Sequence, residues 1–290
     1  MPRTILEGFR DFLARLTPSS LESEVSRLHR SSLENCLKSN FGIQRFAQIG
    51  SFGNATSISG FSDVDYLACL PTNQLTRIST SSLTKVRNAL DARFPTTGVH
   101  VRCPAVVVPF GTTAAGRTEI VPADFVKHVN GYNIYDIPDC AGGWMNASPD
   151  AHNAYVRSWD EHHARKLKPL IRFIKAWKYF REVPINSFYL ELRVTKYAST
   201  EQTIIYDEDI CRFFKFLWDG QLPMIQDPMG ISGYISPCKS DALREEALSK
   251  LETALTRVEK ARVCSTNGYI KDSFDWWRLL YNDQFPTYYN

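Results

Sequence analysis

Two aspartates stand two positions apart in the segment Ser62-Asp63-Val64-Asp65-Tyr66-Leu67. In an extended strand such residues project from the same face, so Asp63 and Asp65 point together while Val64 turns into a core. Paired carboxylates repel each other, and burying them uncompensated is costly. A strand that presents such a pair at its start is suited to hold a cation. With hard oxygen donors only, and no His or Cys nearby, that cation is Mg²⁺, with Mn²⁺ as a substitute, rather than zinc. A two-metal site needs a further carboxylate from another strand. Glu119, in Thr118-Glu119-Ile120-Val121-Pro122-Ala123, alternates with apolar neighbours and is the best candidate. Asp124 is its rival, ranked second because it follows Pro122, where the strand is expected to end. Such a site aligns a hydroxyl with the α-phosphorus of a nucleoside triphosphate, so Asp63, Asp65 and Glu119 are read as metal-holding catalytic residues.

In isolation a D-x-D is more often a solvated strand entrance, and it is the segment upstream that changes the balance. In Gly50-Ser51-Phe52-Gly53 both glycines can adopt positive φ and let a phosphate approach the backbone closely. Ser51 adds a hydroxyl, and the turn offers amides to anionic oxygens.

The elements that must position these groups follow from periodicity. Ile5, Phe9, Phe12, Leu13 and Leu16 recur at helical spacing until Pro18, and Leu21, Val25, Leu28, Leu33 and Leu37 carry a second helix. Residues 43–49 and 64–70 read as buried strands on either side of the Gly- and Ser-rich stretch. A helix around Leu83, Val86 and Leu90 follows, then strands at 99–101, 105–110 and 118–121, the last two joined by a Gly-containing turn as an antiparallel hairpin. From Ser148-Pro149-Asp150, a cap and first turn, the pattern becomes helical. Helices are expected at 155–163, 167–180, 187–198, 207–218, 241–263 and 274–281. The domain expectation is an α/β half with N-terminal helices, residues 1–147, followed by a helical substrate-binding half, residues 148–290, with a site in the cleft between them.

Bulk properties set the outer limits. The 290 residues carry a net charge of +3 and are 43% hydrophobic, enough for a sizeable core and too balanced for a protein coated in nucleic acid. No stretch reaches the roughly 18 apolar residues of a membrane span, and the N-terminus has no secretory pattern. The seven cysteines form no CxxC pair. They read as reduced thiols of a cytoplasmic protein, with Cys103-Pro104 and Cys238 as structural positions without partners. His162-His163 diverge by about 100° on a helix and do not chelate one ion.

The ordered combination of a Gly-Ser turn, a D-x-D strand and a distant strand acid resembles the polymerase-β-like nucleotidyltransferases, and within them the cGAS/DncV-like enzymes of bacterial defence and the oligoadenylate synthetases. Glu119 stands where many members carry Asp. The resemblance extends from about Gln48 onward. Lys166-Leu167-Lys168-Pro169-Leu170-Ile171-Arg172-Phe173-Ile174-Lys175-Ala176-Trp177-Lys178 is similar to the family's K-x-x-I-R-x-x-K-x-W helix. Ser187-Phe188-Tyr189-Leu190-Glu191, Asp227-Pro228 with Gly230, and the closing Trp277-Arg278-Leu279-Leu280 with Phe285-Pro286 resemble the segments that follow. The resemblance implies an α+β polymerase-β-like core with a mixed sheet and a C-terminal helical domain. It implies a synthase that makes a cyclic di- or trinucleotide messenger from ATP and/or GTP for a downstream effector. The alternatives are a linear oligoadenylate-type or other end-adding transferase, and an inactive nucleotide-binding module. Lys175 and Ser187 would bind the donor triphosphate, with Gly50 and Ser51 beside it. Phe188 or Tyr189 would stack on a base. Arg172, three positions before Lys175, could share its helix face. Lys166, Lys168 and Lys178 read as a solvated face. The zinc-binding insertion of the animal branch has no counterpart, and no nucleic-acid activator is indicated.

Overall fold

The computed structural model describes residues 3–111 and 116–289, without the side chains of 20–23 and 25–27. Leu21 and Val25 lie on the second helix as expected, their side chains not among those described, and the centre of the hairpin turn (112–115) lies outside the described residues. The chain divides into two compact units, one of 18–155 with 229–232, the other of 1–17, 156–228 and 233–290. This differs from the expected division at 147/148. The first helix is assigned to the helical unit, and the boundary falls inside the helix that begins at Pro149.

Among the described residues, the first of these units is built on a seven-stranded sheet ordered β1-β2-β5-β4-β3, with β6 joined to β5 and β7 to β6. Its strands are β1 (Arg45–Ile49), β2 (Val64–Leu70), β3 (His100–Arg102), β4 (Ala105–Pro109), β5 (Arg117–Val129), β6 (Tyr132–Pro138) and β7 (Trp144–Ala147). β1 and β2 run antiparallel, β2 and β5 parallel, and β4 and β5 antiparallel as the hairpin pattern predicts. The mixed sheet therefore has its parallel pair at the D-x-D strand. β5 is longer than expected. Pro122 does not end it, and after a register shift between Phe125 and Lys127 it continues against β6. β6 and β7 carry weak alternation and escaped the sequence reading.

Alternation sorts the sheet into two faces. Val64, Tyr66, Ala68, Leu70, Val106, Val108 and Ile120 pack against Leu33, Cys36 and Leu37 of α2 (Ser20–Phe41) and Leu83, Val86 and Leu90 of α4 (Ser79–Arg93). The opposite face buries Leu67, Cys69, Ala123 and Tyr135. A short helical turn, α3 (Gly50–Gly53), joins β1 to the loop before β2. Arg45 of β1 donates to Tyr135 Oη and to both carboxylate oxygens of Asp150, tying the start of α5 (Pro149–His162) to the sheet. Ser148 Oγ accepts from Ala151 N at 3.3 Å, the cap its sequence announces.

The second unit is helical. It contains α1 (Ile5–Leu16), the end of α5, α6 (Leu167–Phe180), α7 (Ser187–Ala198), α8 (Tyr206–Asp219), α9 (Asp241–Thr266), α10 (Ile270–Leu280) and a small hairpin, β8 (Ile225–Gln226) with β9 (Tyr234–Ile235). Phe9 and Phe12 of α1 are fully buried, with ring centroids 4.9 and 5.8 Å from Phe173 of α6, and Phe9 lies 5.0 Å from Trp277 of α10. Among the described residues, no helix is long and apolar enough to cross a membrane.

Candidate active site

The parallel pairing of β2 and β5 sets the acids in register. Val64 faces Thr118 and Asp65 faces Glu119, so Asp65 and Glu119 are cross-strand neighbours on one sheet face. Asp63, just before β2, falls beside Arg117 by the same register. Arg117 donates through Nε and Nη2 to Asp63 Oδ1, at 3.0 and 2.8 Å. A second guanidinium arrives from the sheet edge. Arg102 Nη2 lies 3.0 Å from Asp63 Oδ2 and also contacts Glu119 Oε1, so one nitrogen bridges two of the three acids. Arg102 pairs with Ala105 on β4, and Val107 of β4 pairs with Glu119. The arginine thus reaches over a small and a β-branched residue on the same face.

The turn that precedes β2 is shaped to this cluster. Gly50 has φ +61°, and a Cβ there would lie 2.2 Å from Asp65 Oδ2. Only glycine permits that approach. Gly53 differs from expectation: its φ is not positive, and its constraint is a Cβ position 2.7 Å from Gln48 O. Ser51 follows Gly50 inside the one-turn helix rather than in an open turn.

Asp124 is not part of the cluster. It lies five residues beyond Glu119, roughly 17 Å along the strand and on the other face by alternation. Its Oδ1 accepts from Thr72 Oγ1 at 2.8 Å.

The donor set fits hard divalent ions. Three carboxylates with no sulfur or imidazole among them suit Mg²⁺ or Mn²⁺, and a guanidinium already stands as a cation against two of them. The acids are not closed into a cage, however. Among the described residues, no three His, Cys, Asp or Glu side chains are gathered closely enough to hold one ion. In this arrangement Asp63 and Glu119 are paired with arginines.

The residues expected around the triphosphate lie in the helical unit. Lys175 is 1% exposed, and its Nζ sits 3.3 Å from Glu191 Oε2, so a phosphate would compete with that carboxylate for it. Arg172, on the same helix, has its pKa lowered by burial, partly offset by Asp160. Lys178, expected on a solvated face, donates instead to Ser187 Oγ at 2.8 Å. Lys166 likewise donates to Ile204 O. The structure therefore brings Lys178, not Lys175, onto Ser187. Phe188 is 38% exposed on the first turn of α7, which Asn186 caps, whereas Tyr189 is buried and donates to Pro223 O. Of the two aromatics, only Phe188 is presented for stacking. His163 is a buried core histidine, its Nε2 2.8 Å from Ala198 O.

The cysteine expectation is also corrected. Cys103 and Cys140 form a disulfide with Cα atoms 5.6 Å apart, joining the end of β3 to the loop after β6. The other five are free thiols. The pair are 37 positions apart, and only tertiary folding brings them together.

Against this geometry, one protein family matches residues 4–159, more than half of the chain: the Second Messenger Oligonucleotide or Dinucleotide Synthetase domain. The chain belongs to this family. Solved structures agree with the family's fold over nearly the whole length. CdnC of E. coli MS115-1 with ATP gives a TM-score of 0.74 at 15% identity, covering 97% of this chain and 98% of that one. CdnG of Bradyrhizobium diazoefficiens with GTP gives 0.73 at 12% identity, covering 96% of each chain. The DncV cyclic AMP-GMP synthase of Vibrio cholerae, with a linear intermediate, gives 0.67 at 13% identity, covering 85% of this chain and 71% of that one. No curated protein matches the sequence. The fold of this synthetase domain with its helical partner unit is thus the α+β fold of the cGAS/DncV-like nucleotidyltransferases.

Proposed function

We propose that the chain joins nucleoside triphosphates, ATP and/or GTP, into a cyclic di- or trinucleotide by two-metal phosphoryl transfer. The product then acts on a downstream effector in bacterial anti-phage signalling in the cytoplasm. The observation that carries this reading is the placement of Asp65 opposite Glu119 on adjacent parallel strands, with Asp63 beside them and Gly50 against Asp65. Family membership and similar folds solved with ATP or GTP support the substrate class.

Asp63, Asp65 and Glu119 would hold Mg²⁺. Bound there, the ions supply a lowered pKa for the attacking hydroxyl and neutralise charge on the leaving pyrophosphate. Gly50 keeps the backbone close to Asp65. Ser187 and Lys178 form a polar pair suited to the triphosphate, and the Lys ammonium is a mobile point charge for that task. Phe188 offers a face to a base.

Incubation with all four nucleoside triphosphates and Mg²⁺, read by mass spectrometry after phosphatase treatment, tests the reading. A phosphatase-resistant product absent with Asp63→Ala is expected. A linear, phosphatase-sensitive product would remove ring closure and leave transfer, and no product under any nucleotide combination would remove both.

A further inference from the structure

Arg102 has no role in the chemistry above, yet its Nη2 touches Asp63 and Glu119 together. Its side chain is half exposed, whereas those of the two acids are 18% and 14% exposed. A charged group that bridges two carboxylates from the solvent side stands where a cation bound from solvent would stand. Its backbone is fixed. Position 102 pairs with Ala105, and the next residue is cross-linked to Cys140. The side chain, by contrast, has open solvent to turn into. Arg117 differs in kind. It engages the other oxygen of Asp63 through two nitrogens and leaves Glu119 alone.

We propose that Arg102 is a displaceable internal counter-cation, which holds Asp63 and Glu119 together before metal enters and must swing out for metal to bind. This rests on the metal-holding reading of the acids. Without a counter-cation, three neighbouring carboxylates on one strand pair would repel and splay. With it they remain gathered, and the enzyme trades resting-state order for weaker metal affinity. Arg102 is a positioning residue in this scheme, while Arg117 stays in place and orients Asp63.

The test is a titration of the whole protein with Mn²⁺ alone, free ion being counted by electron paramagnetic resonance. Removing a competing charge at this range should tighten Mn²⁺ binding by Arg102→Gln about tenfold relative to wild type. Arg102→Lys, which keeps the charge but loses the planar fork, should fall between the two. Lys85→Gln, which removes an exposed charge on α4, should match wild type and so exclude a mere net-charge effect. Equal or weaker Mn²⁺ binding by Arg102→Gln, or a gain matched by Lys85→Gln, would overturn the proposal. The double variant Asp63→Asn with Arg102→Gln separates the two readings. If it binds Mn²⁺ as tightly as Arg102→Gln alone, the ion does not use Asp63, and the metal-site reading fails and takes the role of Arg102 with it; if it binds more weakly while Arg102→Gln binds no tighter than wild type, the role of Arg102 alone fails.

Discussion

At the scale of single residues, the proposed site depends on one close approach. Gly50→Ala places a methyl 2.2 Å from Asp65 Oδ2 at a φ of +61°, so either the turn or the carboxylate must move. Displacements of about 1 Å at a reacting centre cost on the order of 10²-fold in rate, and a loss of that size is expected in product formation while circular dichroism stays native. The two lysines of α6 should separate cleanly. Lys175→Ala breaks the buried contact with Glu191, which should cost about 3–5 kcal/mol in chemical denaturation. Lys178→Ala loosens Ser187 and should raise the apparent KM for triphosphate with little change in melting temperature. If the effects on the two variants were exchanged, Lys175 would regain the phosphate role. For the acids, Asp65→Asn should abolish turnover and leave the melting temperature nearly unchanged, because loss of one carboxylate also relieves like-charge repulsion.

At the scale of elements, β2 and β5 set the site and β3 trims it. The parallel register makes neighbours of Asp65 and Glu119, and the edge strand delivers Arg102. The Cys103–Cys140 bond closes a loop of 37 positions across that edge. By the chain-entropy account, a loop of this length is worth roughly 3–4 kcal/mol. Cys140→Ser should therefore lower the denaturation midpoint of the sheet unit. Cys140 is exposed, so thiol reductant should produce the same shift in the wild type and none in the variant. Equal midpoints with and without reductant in the wild type would show that the bond adds nothing.

At the scale of the whole molecule, chain order and structural unit part company. α1 precedes the sheet in sequence, yet Phe9 and Phe12 are buried against Phe173, Trp277, Tyr281 and Phe285 of the helical unit. Phe12→Ala should cost about 3–5 kcal/mol. The loss should appear as lowered hydrogen-exchange protection in α6 and α10, with the sheet strands retaining theirs. Uniform loss over both units would mean that they unfold as one.

The sequence by itself determined the strands and helices whose periodicity is strong, the D-x-D face, and the strand acid at 119. Local covalent rules suffice for those, because alternation and helical spacing act over a few residues. It could in principle have flagged Arg117, which shares a strand face with Glu119 two positions on. Arg102, the Cys103–Cys140 bond, the choice of Lys178 over Lys175 at Ser187, and the allegiance of α1 were decided only by tertiary structure. Arg102, the disulfide and α1 depend on segments far apart in the chain meeting at van der Waals or hydrogen-bond distance, and the Lys178–Ser187 contact, though only nine positions apart, depends on how α6 packs on α7; no short-range pattern encodes these meetings.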